Sequence, residues 1–191
     1  MSHTFDPTIL REYDIRGIIG ETLEADDARA IGRSFGSMLR RARGSRVAVG
    51  YDGRQSSPML EHALVEGLTA SGCDVVRVGL GPTPMLYYAE ASADDVDGGI
   101  QITGSHNPPN YNGFKMVFQG RPFFGADIQQ LGEVAAAGHD RPLLDVVGTL
   151  DPFSGWNADL GGEHGDPARH VDTLVLFEIP YLSLGFVGDL G

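Results

Sequence analysis

The sequence predicts an α/β layer fold, with a mixed, mostly parallel four-stranded sheet between helices. Short β-branched segments alternate along the chain with segments whose apolar residues recur every three or four positions. Two of the helical segments open with a hydroxyl residue followed by proline, Ser57-Pro58 and Thr83-Pro84. Only a loop separates the third strand from the fourth, which favours an antiparallel pair there and therefore a mixed sheet.

The elements follow one another without a long gap. The first helix is predicted within residues 23–43, where Ile31, Phe35 and Leu39 lie on one face and Gly44 follows as a stop. Ser57 is predicted to be the N-cap of the second helix. The predicted strands are residues 46–52, 74–78, 99–103 and 113–118, and the remaining helices are residues 57–72, 83–91 and 127–137.

Composition and charge limit the classes of partner. The 191 residues are 41% hydrophobic, and 26 acidic against 14 basic residues give a net charge of −12. Such a chain is a poor partner for nucleic acid or an anionic membrane, so an anionic ligand must be held by a local basic group. Thirteen of the basic residues are arginine, and Lys115 is the single lysine.

Compartment and membrane association are also constrained. Cys73 is the only cysteine, which excludes an intramolecular disulfide. The first residues have neither a basic start nor an apolar run, so no signal peptide is predicted. No stretch approaches 18 apolar residues, so no membrane span is predicted and we expect a cytoplasmic protein.

Several familiar catalytic motifs are absent from the sequence. It contains neither a phosphate-binding G-x-x-x-x-G-K-[ST] loop nor an H-E-x-x-H zinc motif. Ser105 does not lie in a G-x-S-x-G elbow, because Thr103 and Asn107 occupy the glycine positions. Acyl transfer is therefore not indicated.

The densest group of chemically capable residues is segment 103–115, at the end of the third predicted strand. Ligands of open α/β sheets bind at strand ends. Gly104 permits a sharp turn and Pro108-Pro109 stiffens the exit, so Ser105 and His106 would be displayed on a rigid loop. Lys115 returns to the same region on the next strand. A proline-rich and asparagine-rich hairpin loop without chemistry is the alternative interpretation.

This segment, T-G-S-H-N-P-P-N-Y-N-G-F-K, closely resembles the phosphoserine loop of the alpha-D-phosphohexomutase family, of the bacterial phosphomannomutase/phosphoglucomutase type. Three further segments agree in order: R-E-Y-D-I-R-G at 11–17, V-G-Y-D-G-R-Q-S-S at 49–57 and V-G-L-G-P-T-P at 78–84. The resemblance covers roughly residues 5–137, which correspond to the first domain of that family.

The resemblance implies a mutase that interconverts hexose 1-phosphate and hexose 6-phosphate. Ser105 would carry the phosphate, pass it to the sugar and take it back from a hexose 1,6-bisphosphate. The phosphoserine would be one ligand of Mg²⁺, whose other ligands in the family lie outside this sequence. Hexose phosphates and the bisphosphate are therefore the expected partners.

The same resemblance implies roles for individual residues. Arg16 and Lys115 would lie close to the phosphoserine, and Lys115 would also transfer a proton to or from the sugar hydroxyl. His106 would be a neighbouring acid, base or hydrogen-bond donor. Tyr13 would line the substrate cleft, and Asn112 is also predicted to bind substrate. Arg16 could instead simply pair with Asp14.

A structural role is predicted for the turn after the first predicted strand, and an irregular structure for the end of the sequence. Asp52 and Arg54 are predicted mainly to fix their own turn, because D-G is a turn signature. Residues 1–150 are predicted to form the family's first domain, and residues 151–191 an irregular tail that is an incomplete or aberrant start of a second. A premature stop or a shifted reading frame would explain the tail.

The family's metal-binding, sugar-reading and C-terminal phosphate-binding motifs do not occur in this sequence, and two functional hypotheses therefore remain. In the first, the chain is the phosphoserine domain of a mutase, with little or no turnover by itself. In the second, it is a non-catalytic phosphosugar-binding or structural α/β domain. A phosphate on Ser105 would distinguish the two.

Overall fold

The computed structural model describes residues 2–138, and these form an α/β domain with six strands and four helices. The predicted tail at 151–191 lies outside the described residues, as does the last part of the domain predicted for 1–150. In chain order the elements are β1 (Ile15–Ile18), α1 (Ala25–Arg41), β2 (Arg46–Tyr51), α2 (Ser57–Ala70), β3 (Asp74–Leu80), α3 (Thr83–Ala91), β4 (Gly98–Ile102), β5 (Tyr111–Phe118), β6 (Arg121–Phe123) and α4 (Ala126–Ala137).

The sheet is mixed, as predicted, and its strand order is β1-β5-β4-β2-β3, with β6 also paired to β5. The β4–β5 pair is antiparallel, which confirms the expectation for two strands joined by a loop. The predicted number of four strands was too low. Parallel pairing is confined to β2 with β3 and β2 with β4, so among the described strands the sheet is less parallel than predicted.

The two strands that the sequence did not reveal lie one after the other along the same edge of β5. β1 pairs with Tyr111–Phe114, and β6 pairs with Met116–Phe118. They have only four and three residues, too few to show a period of two. Pro122 of β6 is compatible with an outer strand, where a missing N–H leaves no ladder bond unmade.

Helices cover both faces of the sheet. Ile100 of β4 belongs to the main core together with Phe35 of α1, Leu64 of α2 and Leu131 of α4. Its neighbour Gly99 points the other way: a Cβ there would lie 3.5 Å from Leu86 of α3. Since successive strand residues alternate between faces, α3 alone covers the second face in the described region.

Helices α1 and α2 pack closely because glycines line their contact. A Cβ on Gly32 would lie 2.3 Å from the carbonyl oxygen of Leu64, and one on Gly67 would lie 2.1 Å from that of Arg29. No real side chain tolerates such distances, so backbone touches backbone at this crossing. Within residues 2–138, no helix is long and apolar enough to cross a membrane.

The start of α2 departs from the prediction by one residue. Its N-cap is Ser56, not Ser57, and α2 begins at Ser57. The hydroxyl of Ser57 instead donates to the carboxylate of Asp52 at 2.7 Å and accepts from Asn112 at 2.9 Å. Ser57 is thus a bridge between the helix and two strand ends.

Candidate active site

Residues 103–110, called here the Ser105 loop, connect β4 to β5 at the end of the sheet where β2 also ends. Tyr51 and Ile102, the last residues of β2 and β4, are register partners in the parallel pair. The N–H of Asp52 continues this pairing by donating to the carbonyl of Ile102 at 2.9 Å. The segment that follows β2 therefore lies directly beside the Ser105 loop.

Ser105 is solvent-exposed and has an unusual backbone conformation. Its φ is 51°, in the left-handed region that non-glycine residues rarely occupy. Its N–H donates to the hydroxyl of Thr103 at 2.8 Å, and its Oγ lies 3.3 Å from Nδ1 of the exposed His106. The hydroxyl is thus displayed to solvent beside an imidazole, on a backbone held in a costly conformation.

The carboxylate of Asp52 holds the Ser105 loop by accepting hydrogen bonds. Oδ2 accepts from the N–H of Gly104 at 3.0 Å, and Oδ1 accepts from the N–H of Arg54 at 3.1 Å and from the hydroxyl of Ser57. Burial opposes ionisation, but the hydrogen bonds from Ser57, Arg54, Thr103 and Gly104 outweigh it and lower the pKa of Asp52.

Arg54, whose side chain is 15% exposed, holds the loop through its guanidinium group, which lies 3.3 Å from the Asp52 carboxylate. All four of its other acceptors are main-chain carbonyls of the loop or of the first residue of β5. Nη2 donates to Ser105 at 3.0 Å and Asn107 at 2.7 Å, and Nη1 donates to Pro108 at 2.6 Å and Tyr111 at 2.9 Å.

Gly104 leaves the space that this guanidinium occupies. A Cβ at Gly104 would lie 2.0 Å from both Cζ and Nε of Arg54. The glycine is therefore needed for close approach, and not only for the sharp turn that the sequence indicated.

Arg16 reaches the loop from β1, where it is the register partner of Gly113. Its side chain is 3% exposed, and its guanidinium donates to the carbonyl oxygen of Gly104 and to the carboxylate of Asp14. The alternative interpretation, a pair with Asp14, is thus a contact of the structure, and the role near a phosphoserine stays a prediction. Arg16 is an ion-pair partner of Asp14 and a neighbour of the residue that precedes Ser105.

Lys115 and Tyr13 line a second part of the site. β1 and β6 leave a notch along β5 beside Lys115, and a cavity of about 320 Å³ lies there. Its walls include Tyr13, Tyr87 and Phe124. Tyr13 is 78% exposed and stacks on Phe124 with ring centroids 6.4 Å apart.

Asn112 lies away from the exposed surface of the site. It is fully buried, and its amide nitrogen donates to the hydroxyls of Ser56 and Ser57, each at 2.9 Å. Its amide oxygen accepts from the N–H of Gly113 at 2.9 Å. These contacts tie β5 to the start of α2, and in this geometry the side chain offers nothing to a ligand at Ser105.

The charges around the loop are largely paired. Arg16 and Arg54 lie against Asp14 and Asp52, whereas Lys115 forms no ion pair within residues 2–138. The same part of the chain has no group of three His, Cys, Asp or Glu residues that could hold a metal ion. Mg²⁺ takes oxygen ligands and is often held by only one or two carboxylates together with waters and phosphate oxygens, and Asp52 is a carboxylate in contact with the Ser105 loop.

Sequence reasoning underestimated Asp52 and Arg54. They were expected mainly to fix their own turn, but both also hold the Ser105 loop. Their position just after a strand was the available indication, because the carboxyl ends of neighbouring parallel strands meet at one sheet edge.

Comparison with known proteins identifies similar chains. The family model for "phosphoglucomutase/phosphomannomutase, alpha/beta/alpha domain I" matches residues 7–141. The phosphomannomutase/phosphoglucomutase of Pseudomonas aeruginosa is 50% identical over 131 residues, which are 68% of this chain and 28% of that protein. A phosphoglucomutase of Neisseria gonorrhoeae is 48% identical over 124 residues, or 64% of this chain and 26% of that protein.

A solved structure has a similar fold. The phosphoglucomutase/phosphomannomutase family protein from Burkholderia thailandensis superimposes with a TM-score of 0.67 at 48% identity. The match covers 70% of this chain and 31% of that one. The chain thus spans little more than a quarter of the length of the curated relatives it matches.

Proposed function

The chain belongs to the phosphoglucomutase/phosphomannomutase family through its α/β/α domain I, and from this premise we propose that Ser105 is the phosphoryl-carrying nucleophile of a hexose-phosphate mutase. The observation that carries the proposal is the position of the Ser105 hydroxyl. It is exposed and lies beside His106, on a loop held by hydrogen bonds to Asp52, Arg54 and Arg16. The left-handed backbone of Ser105 is not by itself distinctive, since Gln119 in the turn after β5 shares it, but among the described residues only at Ser105 is it combined with an exposed hydroxyl beside an imidazole.

The proposed reaction is an exchange of phosphoryl groups. A hexose 1,6-bisphosphate gives one phosphoryl group to Ser105: the bond from its phosphorus to the sugar oxygen breaks, and a bond to Oγ forms. The proton of the serine hydroxyl is removed, and a proton is delivered to the departing sugar oxygen. The reverse transfer to the other end of a hexose monophosphate completes the interconversion of 1- and 6-phosphates.

The side chains around Ser105 suggest a division of roles. Lys115 lines the cavity beside the loop and forms no ion pair with a carboxylate in the described region, so it is suited to attract phosphate and to exchange a proton with the sugar hydroxyl. His106 lies within reach of Oγ for proton transfer. Arg16 positions the loop at Gly104, and Tyr13 offers an aromatic surface to the substrate.

Mg²⁺ is part of the proposal as an expected cofactor. A phosphorylated Ser105 would add oxygen ligands for a divalent ion. Residues 2–138 hold no group of three His, Cys, Asp or Glu residues, so we expect waters, phosphate oxygens and further ligands beyond the described residues to contribute to the site.

The test is intact-mass measurement with peptide mapping after incubation with a hexose 1,6-bisphosphate, with and without Mg²⁺. We expect one phosphoryl group on Ser105, its loss in Ser105→Ala, and its retention in Ser92→Ala, which changes an exposed serine after α3. Absence of phosphorylation, or phosphorylation elsewhere, would contradict the proposal and favour a non-catalytic phosphosugar-binding or structural domain.

A further inference from the structure

The contacts of Arg54 restrain the whole Ser105 loop. Nη2 of its guanidinium donates to the carbonyl oxygens of Ser105 and Asn107, and Nη1 donates to those of Pro108 and Tyr111. These acceptors begin at the candidate nucleophile and end at the first residue of β5. A planar fork of fixed N–H directions can serve four acceptors at once, which a single lysine ammonium cannot.

Both peptide groups that flank the Cα of Ser105 are held. The N–H on one side donates to Thr103, and the carbonyl on the other accepts from Arg54. The direction of the Cα–Cβ bond is therefore fixed, and Oγ keeps only the rotation about χ1. The φ of 51° requires such restraint, because an unrestrained serine would leave the left-handed region.

Asp52 holds Arg54 in place and thereby completes the arrangement. Its Oδ2 lies 3.3 Å from Nε of Arg54 and also accepts from the N–H of Gly104. The absent side chain of Gly104 provides the space for the guanidinium. Removing the guanidinium would break four hydrogen bonds to main-chain carbonyls, three of them in the Ser105 loop and one at the first residue of β5.

We infer that Arg54, oriented by Asp52, is a positioning residue that aims the Ser105 hydroxyl for phosphoryl transfer. The inference rests on the proposed function of Ser105 and adds a role for a residue that touches neither the phosphate nor the sugar. A displacement of about 1 Å in a reacting group costs on the order of 10²-fold in rate. Arg54 should therefore affect the rate of transfer more than the binding of the donor.

The experiment measures the rate of Ser105 phosphorylation by a hexose 1,6-bisphosphate over a range of donor concentrations. We expect Arg54→Gln to lower the maximal rate by roughly 10²-fold while the half-saturating concentration stays within about twofold of that of the unsubstituted chain. Arg77→Gln is the matched control, because it removes an arginine that pairs with Glu61 at 3.0 Å and lies on β3, which β2 separates from β4. It should leave both quantities unchanged.

Two further variants separate positioning from a general loss of structure. Arg54→Lys keeps the charge but not the planar fork, and we expect it to remain folded by circular dichroism and to be slow. Arg54→Ala should regain part of its rate when guanidinium ion is added at a concentration too low to denature the protein. Phosphorylation of Arg54→Lys at the unsubstituted rate, or a folded Arg54→Ala that guanidinium does not rescue, would overturn the inference.

The outcomes also distinguish the inference about Arg54 from the proposed function of Ser105. If the unsubstituted chain takes no phosphoryl group, the proposed function and the inference are both wrong. If it is phosphorylated and Arg54→Gln is phosphorylated equally fast, only the inference is wrong.

Discussion

The carboxylate of Asp52 makes the Ser105 loop sensitive to acid. Its pKa is lowered in the folded protein, because the hydrogen bonds it accepts outweigh the effect of burial. A lowered folded-state pKa stabilises the fold at pH values above the unfolded pKa, near 3.8, and the contribution is lost as the pH falls through the folded pKa. We expect the stability difference between the unsubstituted chain and Asp52→Asn to shrink in this acid range.

Urea unfolding of the two proteins at a series of pH values between about 7 and 3 measures that difference. The other carboxylates titrate in both proteins, so they largely cancel from it. Unfolding curves that remain the same distance apart throughout the series would show that the ionised Asp52 does not contribute as argued.

Asn112 offers a test of a structural against a ligand-binding role. Asn112→Ala would leave the buried hydroxyl of Ser57 without a donor and break the link from β5 to α2. We expect a loss of about 1–3 kcal/mol in the free energy of unfolding, measured by urea titration. Asn110→Ala, at an exposed position of the same loop, should cost far less.

The same pair of variants bears on substrate binding. The half-saturating concentration of the bisphosphate should be similar for Asn112→Ala and the unsubstituted chain. A large increase in it, without loss of stability, would instead support a substrate-binding role for Asn112.

The positions of single residues could be predicted where the residue type itself limits the backbone or favours exposure. Gly104 and Pro108 indicated a rigid loop, and Ser105 and His106 are exposed on it. The function of Arg54 was not predictable in this way, because its partners are main-chain carbonyls, which every residue carries. Which carbonyls converge on one guanidinium depends on the folded path of the loop and not on residue types.

Elements were predictable in proportion to their length and pattern. All four helices and the strands β2 to β5 were expected from periodicity, with ends that differ by a few residues. β1 and β6 form because β5 offers an open edge, which is a property of the assembled sheet. Their own short sequences carry no such information.

The crossing of α1 and α2 gives a prediction at the scale of elements. A methyl group at Gly67 would meet the backbone of Arg29, which cannot move without displacing α1. We expect Gly67→Ala to lower the free energy of unfolding by about 1–3 kcal/mol despite the better helix propensity of alanine. Urea unfolding measures the change.

Gly132→Ala is the matched control, since it adds the same methyl group inside α4. There the Cβ would lie 2.7 Å from a terminal methyl of Leu10, which can rotate away. Its stability should change by less than about 1 kcal/mol. Equal effects of the two substitutions would contradict the argument from backbone contact.

At the scale of the whole molecule, the described domain would supply the proposed nucleophile, Ser105, but little charge stabilisation. The phosphoryl group in transfer is stabilised mainly by cations, and the arginines at the loop are already paired with Asp14 and Asp52. We expect the 191-residue chain alone to interconvert hexose phosphates at least about 10³-fold more slowly than the Pseudomonas aeruginosa relative. A coupled assay of both proteins at equal concentration measures this ratio, and similar turnover would refute the expectation.

The restraints on Ser105 also have a consequence for biosynthesis. Arg16 and the Gly104 carbonyl it binds are 88 residues apart, and Arg54 lies 51 residues before Ser105. β1 cannot pair until β5 has been made, because β5 is its partner in the sheet. Contacts of such long range form slowly and late. A ribosome must therefore release almost all of the described domain before the serine is held in place, so a nascent chain carries Ser105 long before the contacts that restrain it can form.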